Sequence, residues 1–280
     1  VKPIAYIPPA TRPSKSLRRS LRGYDHRFWG ESPPPVAATP TYWHQTRGPL
    51  LSLALVLPIL LFYEVGARWL GPPTGLRTGA DAWVRLALGK LGVIDDWLPP
   101  LALVVGLLGW QAMRPHSWRF RAHYLPGMAA ESLVYAIGLV GLSKVLDLGL
   151  ARVEGGRLLA MTTTVGGDWP ARLIGFCGAG VYEEAIFRLA LIPLLYYGAR
   201  ALQAPPTVAG TLAITASSLL FSIAHHVGGP ADAFSWYVFT FRWLAGIYFA
   251  WVFLARGFGI AVGTHAAYDV LVGLLGWHLG

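Results

Sequence analysis

The chain has 280 residues, of which 54% are hydrophobic and only 13% charged, too little charge to cover the surface of a soluble protein of this length. Its formal net charge of +9 does not point to nucleic acid: eight of the 23 Lys and Arg residues lie in the first 49 positions, and several others in short connections between apolar runs. That is the charge pattern of an integral membrane protein with a basic cytoplasmic side, and no nucleic-acid partner is expected.

Residues 1–49 form the first of three expected regions. They hold nine prolines and a basic patch from Lys15 to Arg27, the composition of a poorly ordered, Pro-rich basic cytoplasmic tail. The alternative is that Leu17, Leu21, Phe28 and Trp29, with Arg18, Arg19 and Arg22, lie on an anionic membrane surface. The first strong apolar run begins at Leu50, too late for a cleavable signal peptide. Nothing from Trp277 to Gly280 reads as a lipidation signal, and Val1 implies a non-standard start codon or a trimmed sequence.

The next two regions are N-terminal transmembrane helices over 50–168 and a core over 169–279. Apolar stretches near the ~20 residues that cross a bilayer fall at 50–70, 97–114, 126–150, 169–198, 207–228, 235–255 and 259–279. The expected fold is therefore all-α, a polytopic transmembrane bundle of about seven spans, because the runs lack the alternation of barrel strands. Between the first two, Ala80 to Leu91 reads as amphipathic and interfacial, with Asp81, Arg85 and Lys90 among apolar residues. Gly259 and Gly263, four apart, suit close helix approach. Cys177, the single cysteine, reads as a small buried hydrophobe.

With seven spans, the tail, Arg114, Arg119, Arg121, Arg200 and Arg256 fall on one side. The opposite loops carry Asp81, Asp95, Asp96, Glu154, Asp168 and Asp232. The N-terminus is then cytoplasmic, in what is expected to be a bacterial inner or plasma membrane.

Ionisable groups inside spanning helices are costly and mark function. The fourth span carries Glu183-Glu184-x-x-x-Arg188. Glu184 and Arg188 are four apart and able to pair, while Glu183 is turned by about 100° and faces another neighbour. The fifth ends in Phe221-x-x-x-His225, where the ring can wall a pocket for the imidazole. The seventh holds His265-x-x-x-Asp269, with Asp269 able to fix the tautomer of His265. Each group also has a plainer reading: the Glu–Arg pair as a helix lock, each histidine as an interfacial or hydrogen-bonded residue. Arg242 shows no obvious sequence partner, and His226 points away from His225. No role is assigned to His26, His44, His116, His123 or His278. The coincidence of costly polar groups at helical spacing on three spans is what favours a single site.

In order, these three motifs resemble those of the CPBP family of intramembrane proteases (the Abi domain), which includes type II CAAX prenyl endopeptidases and bacteriocin-processing enzymes. The resemblance covers about residues 169–279. It implies an endopeptidase acting on a membrane-anchored protein or peptide in the lipid bilayer. By position, Glu183 would activate water with His225, Glu184 and Arg188 would form the supporting pair, and His265 with Asp269 would stabilise the oxyanion. The family often has Asn where this chain has Asp269. Either Asp269 is protonated, or it orients His265 and leaves donation to the ring.

A metal-free glutamate mechanism is the reading adopted. Zinc held by Glu183, His225 and His265 is the alternative, although no His-Glu-x-x-His pairing is present. Two other functions compete: a catalytically inactive scaffold that binds a membrane partner, and a transporter, against which stands the lack of an internal repeat. The span boundaries place Glu183 near the midplane, His225 near the outer end and His265 towards the inner end. A shared site therefore requires tilted helices, a re-entrant segment or shifted boundaries.

Overall fold

The computed structural model describes residues 41–70, 77–93, 95–113, 118, 120–154, 169–227 and 234–273, except the side chains of 147, 148 and 150–154. The tail up to residue 40 lies outside these residues, as do Arg114, Arg119, Asp168, Asp232, His26, His116 and the stretch 274–280.

Among the described residues all regular structure is helical, as apolar composition in lipid requires. A short helix α1 (Tyr42–Gln45) precedes α2 (Pro49–Trp69), α3 (Gly79–Lys90) and α4 (Leu98–Met113). A 3₁₀ turn at Ala122–Tyr124 leads into α5 (Leu125–Glu154). Then come α6 (Trp169–Glu184), a π-helical segment (Ala185–Leu191) and α7 (Ile192–Ala201), followed by α8 (Pro206–Ala224), α9 (Trp236–Arg256) and α10 (Phe258–Gly273). Each expected window holds a helix. Four helical stretches are long and apolar enough to cross a membrane: Pro49–Trp69, Ala122–Leu146, Pro206–Ala224 and Trp236–Arg256. The other three windows hold α4 and α10, which are apolar but shorter, and the α6–α7 run, whose charges interrupt it.

The centre of the bundle is α10, packed against α2, α5, α6 and α9. Water-driven burial is absent between helices in lipid, so close backbone approach supplies the attraction. Glycine provides it here as expected. A Cβ on Gly259 would lie 2.7 Å from Ser52 Cα of α2, and one on Gly263 2.5 Å from Ser132 Oγ of α5. On α6, a Cβ at Gly180 would come within 2.9 Å of the Ala266 backbone nitrogen in α10. Gly180→Val is therefore expected to push α6 from α10 and cost about 1–3 kcal/mol. Thermal unfolding of the detergent-solubilised protein measures it.

The start of α2 is tied to the end of α9. Arg256, expected as a loop charge, is buried at 2% exposure. Its guanidinium grips Glu131 of α5 at 2.8 and 3.1 Å, donates to Thr46 Oγ1 at 2.9 Å, and lies 4.0 Å over the Trp43 ring. A two-pronged Arg–carboxylate pair fixes direction as well as distance. Tyr42, Trp43 and Tyr124 cluster at this end, while Trp69, Trp97 and Trp236 are exposed at the opposite helix ends. Aromatic belts of this kind sit at the two membrane–water interfaces.

Candidate active site

The carboxylates of the first motif stand at the C-terminal end of α6, where Glu183 and Glu184 are both buried. Directly after them the helix widens into its π-helical segment, a feature frequent at functional sites. The widened turn is stitched to its neighbours by side chains: Ser217 Oγ of α8 donates to the Phe187 carbonyl at 2.6 Å. Arg188 Nη2 donates to the Gly246 carbonyl of α9 at 3.3 Å. A Cβ on Gly246 would meet Ser218 of α8 at 2.9 Å, so α8 and α9 close tightly over the segment.

The Glu184–Arg188 pair forms as expected, with Arg188 Nη1 3.0 Å from Glu184 Oε1 and both side chains essentially unexposed. The guanidinium lies between aromatic rings, 4.5 Å from the Phe221 centroid and 5.2 Å from that of Phe249. Such stacking on ring faces is characteristic of Arg. Phe249 in turn stacks flat on His265, at 4.5 Å and 12°. This fixes the plane of that imidazole.

A hydrogen bond fixes its edge. His265 Nδ1 is 2.7 Å from Glu184 Oε1, and since a carboxylate only accepts, Nδ1 carries a proton. Asp269, expected to hold the tautomer, sits on the other side of the ring, with Oδ2 3.7 Å from Nε2. The orienting group is therefore Glu184. Spacing of four on one helix indicated the intrahelical neighbour, whereas the shorter contact crosses between helices.

Glu183 occupies the centre of the cluster. Its Oε2 is 3.7 Å from His265 Nε2 and 3.7 Å from His225 Nε2. His225 caps α8, its Nδ1 lying 2.9 Å from the Phe221 carbonyl and its ring edge-on to Phe221 at 4.8 Å. The carbonyl accepts from Nδ1–H, which leaves Nε2 of the neutral ring with a lone pair directed at the Glu183 side. The side chains are graded in exposure: 27% for His225, 21% for Asp269, 12% for Glu183, 6% for His265 and none for Glu184. Access is therefore from the His225 and Asp269 side.

All seven residues singled out in the three motifs thus meet at one place. The depth conflict disappears because α8 ends at the level of Glu183 while the α6–α7 run continues past it. Arg242 of α9 is buried, and its charge acts on both Glu183 and Asp269. His226 points away as expected, packed on Phe234 and Phe239 at 5.3 and 6.0 Å. Half-buried Cys177 lies within electrostatic reach of Asp269. Among the described residues, no group of three or more His, Cys, Asp or Glu side chains is arranged to hold a metal ion.

Sequence reasoning missed a second polar cluster beside the first. Glu64 of α2 and Asp81 of α3 are fully buried, bridged by Arg77 at 2.9 and 3.0 Å. Burial alone would lower the proton affinity of Arg77, but the hydrogen bond to Glu64 outweighs it and holds the guanidinium above its ordinary range. At the start of α3, Asp81 faces inward, accepting from Tyr63 of α2 at 2.8 Å, while the helix packs against α6 and the rest of it is largely exposed. The signal was present in Glu64 and Arg68, an acid and a base four apart inside an apolar window.

The stretch 166–271, which contains all three motifs, matches the Rce1-like family, described as type II CAAX prenyl endopeptidase Rce1-like. It covers α6 through most of α10 and leaves α1–α5 outside. No curated protein and no solved structure matches the chain.

Proposed function

We propose that this integral membrane protein is an intramembrane endopeptidase, with Glu183 as the base that activates water. The observation that carries the reading is the convergence of His225 Nε2 and His265 Nε2 on a single oxygen, Glu183 Oε2, each at 3.7 Å. Those separations exceed a direct hydrogen bond and suit groups that share a bridging water. The match to an endopeptidase family over the same residues supports it.

In the reaction, Glu183 takes a proton from water, assisted by the lone pair of His225 Nε2, as the water oxygen attacks the peptide carbonyl. The carbonyl π electrons move to oxygen, and that oxyanion accepts a hydrogen bond from Nε2–H of His265 in its imidazolium form. Glu184 holds the other nitrogen of that ring, and Arg188 holds Glu184. The proton on Glu183 passes to the amide nitrogen as the C–N bond breaks, releasing an amine and a carboxylic acid. Asp269 borders the oxyanion position beside Nε2. The substrate is a membrane-anchored protein or peptide, and the N-terminal side of α2 faces the cytoplasm, as the basic residues Arg47, Arg121 and Arg200 favour.

Terminal peptide mapping of membranes from cells carrying wild-type protein or an equal amount of E183Q tests the reading. New termini beside apolar segments, present only with the wild type, are expected. Identical maps under conditions where the protein matters to the cell would overturn it in favour of a scaffold or transporter. Once a substrate is mapped, treating the purified protein with a strong chelator is expected to leave cleavage unchanged. Loss of cleavage restored by added zinc would replace the glutamate mechanism with a metal one.

A further inference from the structure

The catalytic helix α6 is held from two sides. On one side Glu184 meets His265 and Arg188, as described. On the other, Tyr182, the residue immediately before Glu183, donates its buried hydroxyl to Glu64 Oε1 of α2. Glu64 is only 1% exposed and is gripped independently of Tyr182. Arg68 Nη1 lies 2.5 Å and Arg77 Nη1 2.9 Å from Oε2, and Arg85 Nη2 lies 3.3 Å from Oε1. Arg85 also pairs with Asp81 at 2.8 Å, and Tyr63 donates to Asp81 at 2.8 Å. The Tyr63 ring then sits edge-on to Tyr182 at 5.6 Å and fills a notch in α6, where a Cβ on Gly178 would lie 2.2 Å from the ring.

We propose that Glu64 is a positioning residue: through the Tyr182 hydroxyl it sets the rotation of α6 and hence the direction in which Glu183 points. This rests on the proposed role of Glu183 as the base. The physical argument is one of redundancy. Burying a carboxylate in a spanning helix is expensive, and three arginines already neutralise Glu64 and Asp81. The bond to Tyr182 is not needed to compensate either charge. Its effect falls on α6, because successive helical residues are locked at about 100° to one another, so fixing Tyr182 fixes Glu183. A shift of roughly 1 Å in a catalytic group is enough to cost about 100-fold in rate. The anchor lies in α2 and α3, outside the stretch that matches the protease family, which gives the N-terminal helices a part in the chemistry.

The single cysteine provides a readout that does not depend on turnover. Cys177 is on α6, five residues before Tyr182, and half-buried. In intact membranes, Y182F and E64Q are each expected to raise the rate at which N-ethylmaleimide labels Cys177 by about tenfold, the effect of losing one hydrogen bond to a charged group. The double variant is expected to label no faster than the faster single one, since both remove the same interaction. E131Q, which breaks the buried pair with Arg256 away from α6, is expected to label at the wild-type rate. In cells, Y182F is expected to produce the wild-type-specific termini about tenfold more slowly, with the protein folded and abundant. Wild-type labelling and cleavage in Y182F would overturn the proposal, as would an equal rise in E131Q, which would mean general loosening. If E183Q erases no termini, the protease reading fails, while the labelling still decides whether Glu64 positions α6.

Discussion

Replacing Glu183 by glutamine is expected to slow peptide cleavage by about 10⁴-fold, the upper range for removing a general base, with the helices packed as before. Glutamine keeps the volume of the side chain but cannot take a proton from water. Its amide also presents N–H groups or an uncharged oxygen to His225 and His265, where Oε2 now lies 3.7 Å from each ring. Of the other carboxylates, Glu184 is turned to His265 Nδ1 and Arg188, and Asp269 stands beside His265 Nε2, the position assigned to the oxyanion. Cleavage rate on the first mapped substrate, set beside the thermal unfolding midpoint, measures both halves of the expectation. Cleavage by E183Q at a tenth of the wild-type rate or more would remove Glu183 from the role of base. Glu183→Asp, which retains the charge but draws it back by a methylene, should fall between, at about 100-fold.

Arg188→Met carries the largest expected effect on stability. Arg188 is among the largest fully buried side chains, and its charge faces that of Glu184, both closed off from solvent. Removing one member of a buried pair leaves the other uncompensated, at a cost of about 3–5 kcal/mol. Methionine fills the space between Phe221 and Phe249 but cannot donate to the Gly246 carbonyl. Replacing both partners, as Glu184→Gln with Arg188→Met, should return most of the lost stability, because well-packed neutral groups avoid the desolvation penalty. Activity should stay low in the double variant, since His265 then faces an uncharged partner at Nδ1. The unfolding midpoints of the two single variants and the double variant form the cycle that tests this. A stable Arg188→Met protein would show that Glu184 is not dependent on its guanidinium.

Much of the site was legible because its pairs follow helical spacing. Glu184 with Arg188 and Phe221 with His225 are both four apart, and both meet. The same rule pointed to Asp269 as the partner that orients His265 and missed Glu184, since spacing along one helix carries no information about a neighbour 81 residues away. Depth was misjudged for a related reason. Hydropathy windows mark where a chain is apolar, without the tilt of a helix or its overhang past the next. Glu64 was hidden by averaging: in a window as apolar as 50–70, one acid hardly changes the mean. Its value lay in the neighbours, Arg68 on the same face and Arg77 and Arg85 in the following connection and helix.

The order in which the elements leave the ribosome has its own consequence. Glu183, Glu184 and Arg188 are synthesised with α6 and the π-helical segment, and His225 with α8, but His265 arrives only with α10. Until then the Glu184 carboxylate has no imidazole to hold, and the faces of Ser52, Ser132 and Gly180 that receive α10 are uncovered. A nascent or truncated chain thus has Glu183, the base in the proposed mechanism, without His265, the group proposed there to receive the negative charge. Under the proposed mechanism, hydrolytic competence therefore comes only with the insertion of a single late helix.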